Sequence, residues 1–323
     1  MSSRFTLRQL LAAAAVTVPA ISWAAYPDHA IEWVVPYAAG GGSDVVARVV
    51  AETMGKSLGQ PMVVMNKPGA ATNIGADYAA RAKPDGYTIL TGDTGTLAAN
   101  PYLYKKLTYN VETDFVPVGM LVRFPMVLVV NPSLPVKNLD EFTAWAKTQK
   151  GGASYSTPGA GTPHHLATEI FKERAKLELS HVPYKGAAPA LQDVMGGQVP
   201  FMFVDSVTGI QSINAGKVRA IGVATPKRVA ALPNVPTLDE QGLKGYEAYA
   251  WQGVVAPKAT PADRVQALSK ALQSTLQDAA VKKRLEDMGL EITAGTAAEM
   301  DAYVKAERAK LGPVIKNNKI QLD

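Results

Sequence analysis

The amino-acid sequence predicts an α/β protein of two domains, each built as a mostly parallel sheet flanked by helices. Along both halves of the chain, short apolar runs rich in β-branched residues alternate with longer segments of helical periodicity. This alternation is typical of parallel sheets covered by helices. In each half, a glycine-rich turn follows a predicted strand and precedes a predicted helix, and the 323 residues are enough for two separate cores.

The first strand–turn–helix unit contains three consecutive glycines. Its strand starts at Ile31 and ends at Pro36, and apolar residues recur at helical spacing after Asp44, with Ser43 or Asp44 as the expected N-cap. Such a unit presents backbone N–H groups, clear of side chains, at the positive end of a helix dipole, which favours a carboxylate or phosphate. A tight turn that needs glycine only for backbone geometry is the alternative. The candidate binding residues here are Tyr37, Ala39, Gly40, Gly41, Gly42, Ser43 and Asp44.

Two further units complete the predicted first sheet. A strand at residues 62–65 precedes a loop and a helix that ends at residue 82. A strand at residues 87–90 precedes a polar loop at residues 91–96. Ligands in open α/β sheets bind outside the carboxyl ends of the strands. From loop position alone, Thr94 and Thr96 are therefore candidate binding residues.

The chain is expected to pass between the two domains twice. Residues 114–130 form two apolar runs separated by Pro125, and residues 249–255 form another apolar, aromatic run. The helical tail, residues 261–323, is placed back on the first domain. Two crossings suit hinge closure around a ligand. The predicted division is residues 25–123 plus 251–323 for domain 1 and residues 124–250 for domain 2, with strands of domain 2 at residues 153–156, 179–182, 199–204 and 218–224.

A second glycine-rich loop follows the first strand of domain 2. Thr162 and Pro163 have the order expected of an N-cap followed by proline at the first helical position, and Gly159 and Gly161 clear the way to backbone donors. Two such turns in separate halves predict a cleft between the domains that holds one small polar ligand. The candidate residues from this half are Thr157, Gly159, Ala160, Gly161, Thr162, His164, Tyr184 and Asp205.

Several polar candidates also have a structural alternative. Asp44 either contacts a ligand amino group or caps the first helix, and capping is the more frequent role. Asp205 either accepts a hydrogen bond from a ligand or a water, or stabilises a turn. Tyr184 either lines the pocket or fills the core, and His164 is expected as a neutral donor at a helix N-terminus.

The sequence predicts no cofactor, no metal site and no enzyme. The chain has no cysteine, and the adjacent His164 and His165 would point about 100° apart on a helix, which disfavours shared zinc ligation. The glycine spacing matches neither a P-loop nor the dinucleotide-binding pattern. No Gly-x-Ser-x-Gly nucleophile motif occurs.

The N-terminal residues predict export. Arg4 and Arg8 precede an apolar stretch, residues 10–21, that is too short to span a bilayer, and residues 22–24 have the small-x-small pattern of a cleavage site. We therefore predict a signal peptide at residues 1–24 and a periplasmic, unlipidated protein without disulfides.

The charge pattern gives no support for a nucleic-acid partner. The formal net charge is +5, and it falls to about +3 when the two arginines of the signal peptide are removed. The remaining basic residues are scattered among acidic ones, as on solvated helix surfaces. We expect no nucleic-acid partner and a monomer.

Five segments together give a resemblance to a known family. The segments are residues 36–44, 66–70, 83–90, 181–186 and 232–238, and they follow one another along essentially the whole mature chain. In these residues and in their order, the sequence resembles the Bug family, the TctC-like extracytoplasmic solute receptors of tripartite tricarboxylate transporters.

The resemblance implies a two-domain periplasmic binding protein of type II-like architecture that closes on a small carboxylate and delivers it to membrane transporter subunits. It further implies that the carboxylate meets backbone amides and hydroxyls of residues 37–44 and 157–164, often through bridging waters. We expect Ser43, Thr157 and Thr162 to be the main side-chain donors, since the predicted cleft loops contain no arginine and only Lys67 and Lys185.

Two other functions stay open at this point. An exported hydrolase that acts on a small anionic substrate is one, because a catalytic triad assembled in space leaves no local motif. The other is a sensory co-receptor that presents its bound ligand to a signalling partner. A receptor returns its ligand chemically unchanged, whereas a hydrolase converts it.

Overall fold

The computed structural model describes residues 26–323, and the predicted signal peptide, residues 1–24, lies outside the described residues. The alternation of strands and helices predicted from the sequence is observed. The strands are β1 (Ile31–Val35), β2 (Met62–Asn66), β3 (Thr88–Asp93), β4 (Phe115–Val130), β5 (Ala153–Thr157), β6 (Leu179–Pro183), β7 (Phe201–Asp205), β8 (Arg219–Val223), β9 (Tyr249–Pro257) and β10 (Glu291–Ile292).

Helices follow most of these strands and continue through the C-terminal part of the chain. Two non-α helical turns, Ala70–Thr72 and Thr94–Ala99, precede α2 and α3. The helices are α1 (Gly42–Leu58), α2 (Asn73–Ala80), α3 (Asn100–Leu103), α4 (Val111–Asp114), α5 (Leu139–Thr148), α6 (Pro163–Ala175), α7 (Ala187–Met195), α8 (Ser206–Asn214), α9 (Ala262–Gln277), α10 (Ala279–Asp287) and α11 (Ala297–Asn317).

The strands form one continuous, mixed arrangement in the order β2-β1-β3-β9-β4-β7-β5-β6. The predicted parallel pairing holds for β1 with β2 and β3, and for β5 with β6 and β7. The two crossing strands, β4 and β9, pair antiparallel with each other and with their other neighbours. We call the strands from β2 to the first part of β4 the first sheet, and the remainder the second sheet.

Strand β4 belongs to both sheets. Phe115 to Pro125 pair with β9, and Met126 to Val130 pair with β7 and β8. The sequence predicted two runs interrupted at Pro125, but the structure has one strand of 16 residues. Proline has no N–H group for a ladder, and Pro125 lies at the end of the ladder with β9. The strand therefore continues past the proline by changing its partner.

The third strand also ends later than predicted. β3 ends at Asp93, so Gly92 lies in the strand, and the helical turn Thr94–Ala99 follows it directly. The Asp93 carboxylate accepts a hydrogen bond from the Thr96 amide at 2.7 Å and caps this turn. A Cβ atom at Gly92 would lie 2.6 Å from the Leu97 side chain. Glycine is therefore needed for the close approach of strand and helical turn.

Buried clusters line both faces of each sheet. The tail helices α9, α10 and α11 pack on α1 and the first sheet, so residues from both ends of the described chain share its cores. The cores of the second sheet draw only on residues between Met126 and Ala248. Among residues 26–323, no helix is long and apolar enough to cross a membrane.

Candidate functional site

The first glycine turn ends in an uncapped helix N-terminus. Helix α1 begins at Gly42, its N-cap is Gly41 in an extended conformation, and no side chain among residues 26–323 caps it. The prediction that Ser43 or Asp44 is the N-cap is therefore wrong. Both residues lie inside the first turn, and their side chains are engaged elsewhere. Ala39, Gly40 and Gly41 are exposed, which leaves the first-turn N–H groups of α1 accessible to an anion.

Asp44 stabilises the turn through its side-chain carboxylate. Its carboxylate is buried and accepts hydrogen bonds from the Gly40 amide, the Arg48 guanidinium and the Asn66 side chain, each at 2.9 Å. Burial by itself would raise the pKa of Asp44, but these hydrogen bonds outweigh it and lower the pKa below its usual value. The carboxylate is thus fully used in holding the positive-φ Gly40 and the turn around it.

Two further hydrogen bonds fix the turn to the first sheet. The Tyr37 hydroxyl donates to the buried Asp93 carboxylate, and the Gln252 amide donates to the Ser43 hydroxyl. Asp93 and Gln252 are opposite each other in the β3–β9 ladder. Burial raises the pKa of Asp93 and also that of Tyr37. Tyr37 at the beginning of the turn and Ser43 at its end are therefore both held by side chains from one cross-strand pair of the first sheet.

The second glycine loop is closed by its own hydroxyl groups. Thr162 is the N-cap of α6 and donates its hydroxyl hydrogen to the Gly159 carbonyl at 2.7 Å. Thr157, the last residue of β5, has hydroxyl contacts to Gly159 at 3.1 Å and to Nε2 of His181 at 2.6 Å. A hydroxyl has one hydrogen to donate. In this arrangement the hydroxyls of Thr157 and Thr162 organise the loop, and their donation to a ligand carboxylate stays a prediction.

Two histidines lie beneath this loop. The Gly161 amide donates to Nδ1 of His165 at 3.0 Å, so this nitrogen is an acceptor and the ring is neutral. The His165 and His181 rings stack with centroids 3.9 Å apart. Burial, followed by repulsion from His181, lowers the pKa of His165 to about 4. Gly159 and Gly161 have positive φ values of 148° and 73°, which favours glycine at both positions.

His164 and Asp205 form a buried pair at the carboxyl edge of the second sheet. His164 is in the first turn of α6, and its Nε2 lies 3.2 Å from the Asp205 carboxylate. Asp205 also caps α8 by accepting from the Thr208 amide at 2.9 Å. Burial would raise the pKa of Asp205, but the hydrogen bonds from His164 and Thr208 outweigh it and lower the pKa. Asp205 thus caps helix α8 and contacts His164 at the same time.

The two glycine turns are neighbours of residues from the opposite sheet. A Cβ atom at Gly42 would lie 3.6 Å from the side chain of Val207 on α8, which follows Asp205 by two positions. A Cβ atom at Gly161 would lie 2.6 Å from Leu103 and 3.3 Å from Leu322. The structure therefore brings the start of α1 to α8, and the loop of residues 157–162, which contains Ala160, to α3.

Three candidates have side-chain hydrogen bonds within the fold, and their contact with a ligand stays a prediction. Thr96 is fully buried and donates its hydroxyl to Thr72 at 2.9 Å. The Thr94 hydroxyl is also buried and accepts from the Trp251 amide at 3.0 Å. The Tyr184 hydroxyl donates to Asp193 on α7, and its ring packs in the outer core of the second sheet. Position in a loop was the only basis for the two threonines, and loop position alone does not reveal burial.

Four residues that hold the site were missed in the sequence analysis. They are Asp93, Gln252, His165 and His181, and each contacts a predicted turn through a side chain from another element. An aspartate directly before the Thr-Gly-Thr segment was a usable local signal for Asp93. His165 lies four residues after Gly161, within the same loop and helix start. The contacts of Gln252 and His181 depend on strand register and tertiary packing, for which a single sequence has no local signature.

Comparison with known proteins places the chain in a described family. Residues 46–320 match the model of the tripartite tricarboxylate transporter family receptor. Three solved structures are similar to this chain over its whole described fold. The structure of the periplasmic binding protein BugD is 37% identical, covers 92% of this chain and 100% of its own, and has a TM-score of 0.81.

Two of these solved structures contain a ligand. Rpa4515 from R. palustris with adipate is 34% identical, covers 92% of this chain and 100% of its own, and has a TM-score of 0.85. MatC (Rpa3494) from Rhodopseudomonas palustris with bound malate is 32% identical, covers 90% of this chain and 100% of its own, and has a TM-score of 0.80. Both ligands are small dicarboxylates.

Proposed function

The chain belongs to the tripartite tricarboxylate transporter receptor family, and we propose that it is a periplasmic receptor that captures a small organic carboxylate by hinge closure. The observation that carries this proposal is the uncapped start of α1 behind an exposed glycine turn. The unpaired N–H groups of a helix N-terminus are donors for an anion. The neighbouring Val207 on α8 places the second sheet next to these donors.

The chemistry of the turn favours recognition by dipoles over recognition by a cation. Arg48 lies one helical turn after Asp44, and its guanidinium is already paired with the Asp44 carboxylate at 2.9 Å. The Ser43 hydroxyl accepts from Gln252, so its own hydrogen stays available for a ligand oxygen. A carboxylate at this position would be held by amides, by Ser43 and by water.

The arrangement of the strands supports closure as the mode of capture. Strands β4 and β9 connect the two sheets, and the candidate loops lie on both sides of these connections. We propose residues 25–123 plus 251–323 and residues 124–250 as the two bodies that move. The receptor would then present the closed complex to membrane transporter subunits of the tripartite tricarboxylate type, and the predicted signal peptide would place it in the periplasm as a monomer.

A screen of ligands by thermal unfolding tests the proposal. The probes are aliphatic mono-, di- and tricarboxylates, aromatic carboxylates and neutral sugars of similar size. A carboxylate at about 100 times its Kd should add about 2.7 kcal/mol to the free energy of unfolding. Stabilisation by a neutral sugar together with no effect of any carboxylate would refute the proposal. Recovery of the ligand after incubation distinguishes a receptor, which returns it unchanged, from a hydrolase.

A further inference from the structure

We infer that Gln252 determines specificity by accepting a hydrogen bond from a hydroxyl or ammonium group next to the bound carboxylate. The predicted ligand class is therefore a 2-hydroxy or 2-amino carboxylate. This inference rests on the proposed function, because it assumes that a carboxylate binds at the start of α1. It adds a second recognition point to the same site and assigns it to one side chain.

One of the two polar atoms of the Gln252 side-chain amide forms a hydrogen bond, and the other does not. Its side chain lies on the crossing strand β9 and is 4% exposed. The Nε2 group donates to the Ser43 hydroxyl, whereas Oε1 is buried and has no hydrogen-bond partner among residues 26–323. Buried polar side-chain atoms nearly always have a partner in the protein, in ordered water or in a ligand. Oε1 of Gln252 is thus a buried acceptor that can take a hydrogen bond from a donor on a ligand.

The contact to Ser43 fixes where this oxygen lies. Ser43 is the second residue of α1, so the Gln252 amide group is beside the same helical turn whose N–H groups are offered to the carboxylate. A group one bond away from that carboxylate is the part of a ligand that can reach both recognition points. The inference therefore assigns the donor to the carbon atom next to the carboxylate.

The Gln252 Oε1 atom distinguishes acids that carry a 2-hydroxyl or 2-amino group from acids that do not. Oε1 of glutamine accepts hydrogen bonds and cannot donate them. A hydroxyl or ammonium group satisfies it, whereas a methylene group leaves it buried and unpaired. A site that is built to bond a polar group rejects the analogue that lacks it, because the protein atom then loses its partner. The preference should consequently appear within pairs of ligands that differ only at this carbon.

Titration calorimetry on matched dicarboxylate pairs tests the inference. The pairs are malate and succinate, 2-hydroxyglutarate and glutarate, and 2-hydroxyadipate and adipate, with aspartate and glutamate as the amino analogues. In the pair that binds, we expect the wild-type protein to prefer a 2-substituted acid by at least about tenfold. Gln252→Met keeps the length and removes the acceptor, and it should reduce this preference to less than about twofold. Gln252→Glu keeps an acceptor but adds a negative charge beside the carboxylate, so it should weaken the binding of every acid in the pairs while the ratio within a pair is retained.

Gln273 provides a matched control. It forms the same kind of contact, from its Nε2 to the Ser269 hydroxyl at 3.1 Å, on helix α9 away from the candidate loops. Gln273→Met should leave the preference unchanged. An unsubstituted acid that binds as tightly as its 2-substituted partners overturns the inference without any variant, and a preference that survives in Gln252→Met also overturns it. If no acid of these pairs binds but another carboxylate of the thermal screen does, the inference fails and the proposed function stands. If no carboxylate of the screen binds, both fail, so the two failures are distinguishable.

Discussion

The imidazole rings of His165 and His181 are stacked with their centroids 3.9 Å apart, and each ring contacts the second glycine loop through one nitrogen. Nδ1 of His165 accepts from the Gly161 amide, and Nε2 of His181 lies 2.6 Å from the Thr157 hydroxyl. Burial lowers the pKa of both histidines. The loop conformation is therefore linked to the neutral state of two rings inside the second sheet.

This relationship predicts a loss of stability in mild acid. The folded pKa of His165, about 4, is below its usual value of 6.5, so the unfolded chain binds a proton more readily than the folded one. The stabilisation is fully present above about pH 6.5 and is lost as the pH falls towards 4, by an amount on the order of 3 kcal/mol. Urea unfolding of the wild type and of His165→Gln between pH 4 and 7.5 measures it.

The exposed His29 serves as the control for this experiment. It contacts Asp28 and stacks on the Tyr87 ring, away from the second glycine loop, so His29→Gln should keep the part of the pH dependence that His165 causes. In His165→Gln the part of the slope due to His165 should disappear. An unchanged slope in that variant would show that other groups cause the acid sensitivity.

Gly41→Leu should abolish ligand binding without unfolding the protein. Gly41 is exposed, its φ is −77°, and the only atom near an added Cβ is the Ala38 carbonyl oxygen at 3.5 Å. A leucine side chain fits the backbone but covers the first-turn amides of α1. Loss of about two hydrogen bonds to an anion predicts about a 100-fold higher Kd. Gly41→Ala should have a smaller effect, and calorimetric titration of both variants gives the comparison.

Asp44→Ala should destabilise the protein more than an ordinary surface substitution. It leaves the Gly40 amide, the Arg48 guanidinium and the Asn66 side chain without their common acceptor, and we expect a loss of about 2–3 kcal/mol in the free energy of unfolding. Asp77→Ala, which breaks a pair with Arg81 on the helix surface, should cost less than about 1 kcal/mol. Equal losses in urea unfolding would contradict the structural role of Asp44.

Neither lysine of the predicted cleft loops should contribute to ligand affinity. Lys67 lies over the Tyr78 ring, with Nζ 3.8 Å from the ring centroid, and Lys185 is exposed. Lys67→Ala and Lys185→Ala should therefore change Kd by less than about twofold, whereas Ser43→Ala should cost about 0.5–1.5 kcal/mol as the loss of one neutral hydrogen bond. A large loss of calorimetric affinity in either lysine variant would mean that a salt bridge holds the ligand.

The sequence was sufficient for those parts of the fold that depend on local patterns. The strand before Pro36, the glycine turn after it and the N-cap at Thr162 all follow from periodicity and capping chemistry, and the structure has them. The N-cap of α1 was misassigned because Ser43 and Asp44 are both good capping residues by type. Their side chains instead bond to Gln252 and Asn66, which lie far away in sequence.

The polar contacts of the candidate site could not be predicted in the same way. Whether the Thr162 hydroxyl is free depends on the direction of the Gly159 carbonyl, and whether Gln252 reaches Ser43 depends on the register of β9 against β3. Both are set by tertiary packing, and a shift of one residue in register would turn the Gln252 side chain to the other face of the sheet.

The division of the cores between the two sheets has a consequence for the order in which the protein folds. The second sheet and its cores use a continuous stretch, Met126 to Ala248. A core of the first sheet includes Leu311 and Ile315 of α11. The Leu322 amide also donates a hydrogen bond to the Leu103 carbonyl at 3.0 Å, which attaches the C-terminal residues to α3. A chain that leaves the ribosome or crosses a membrane N-terminus first can thus complete its middle part early. The first glycine turn, although near the beginning of the sequence, acquires the Gln252 contact and the packing of α9 and α10 on α1 only after the middle part of the chain has been made.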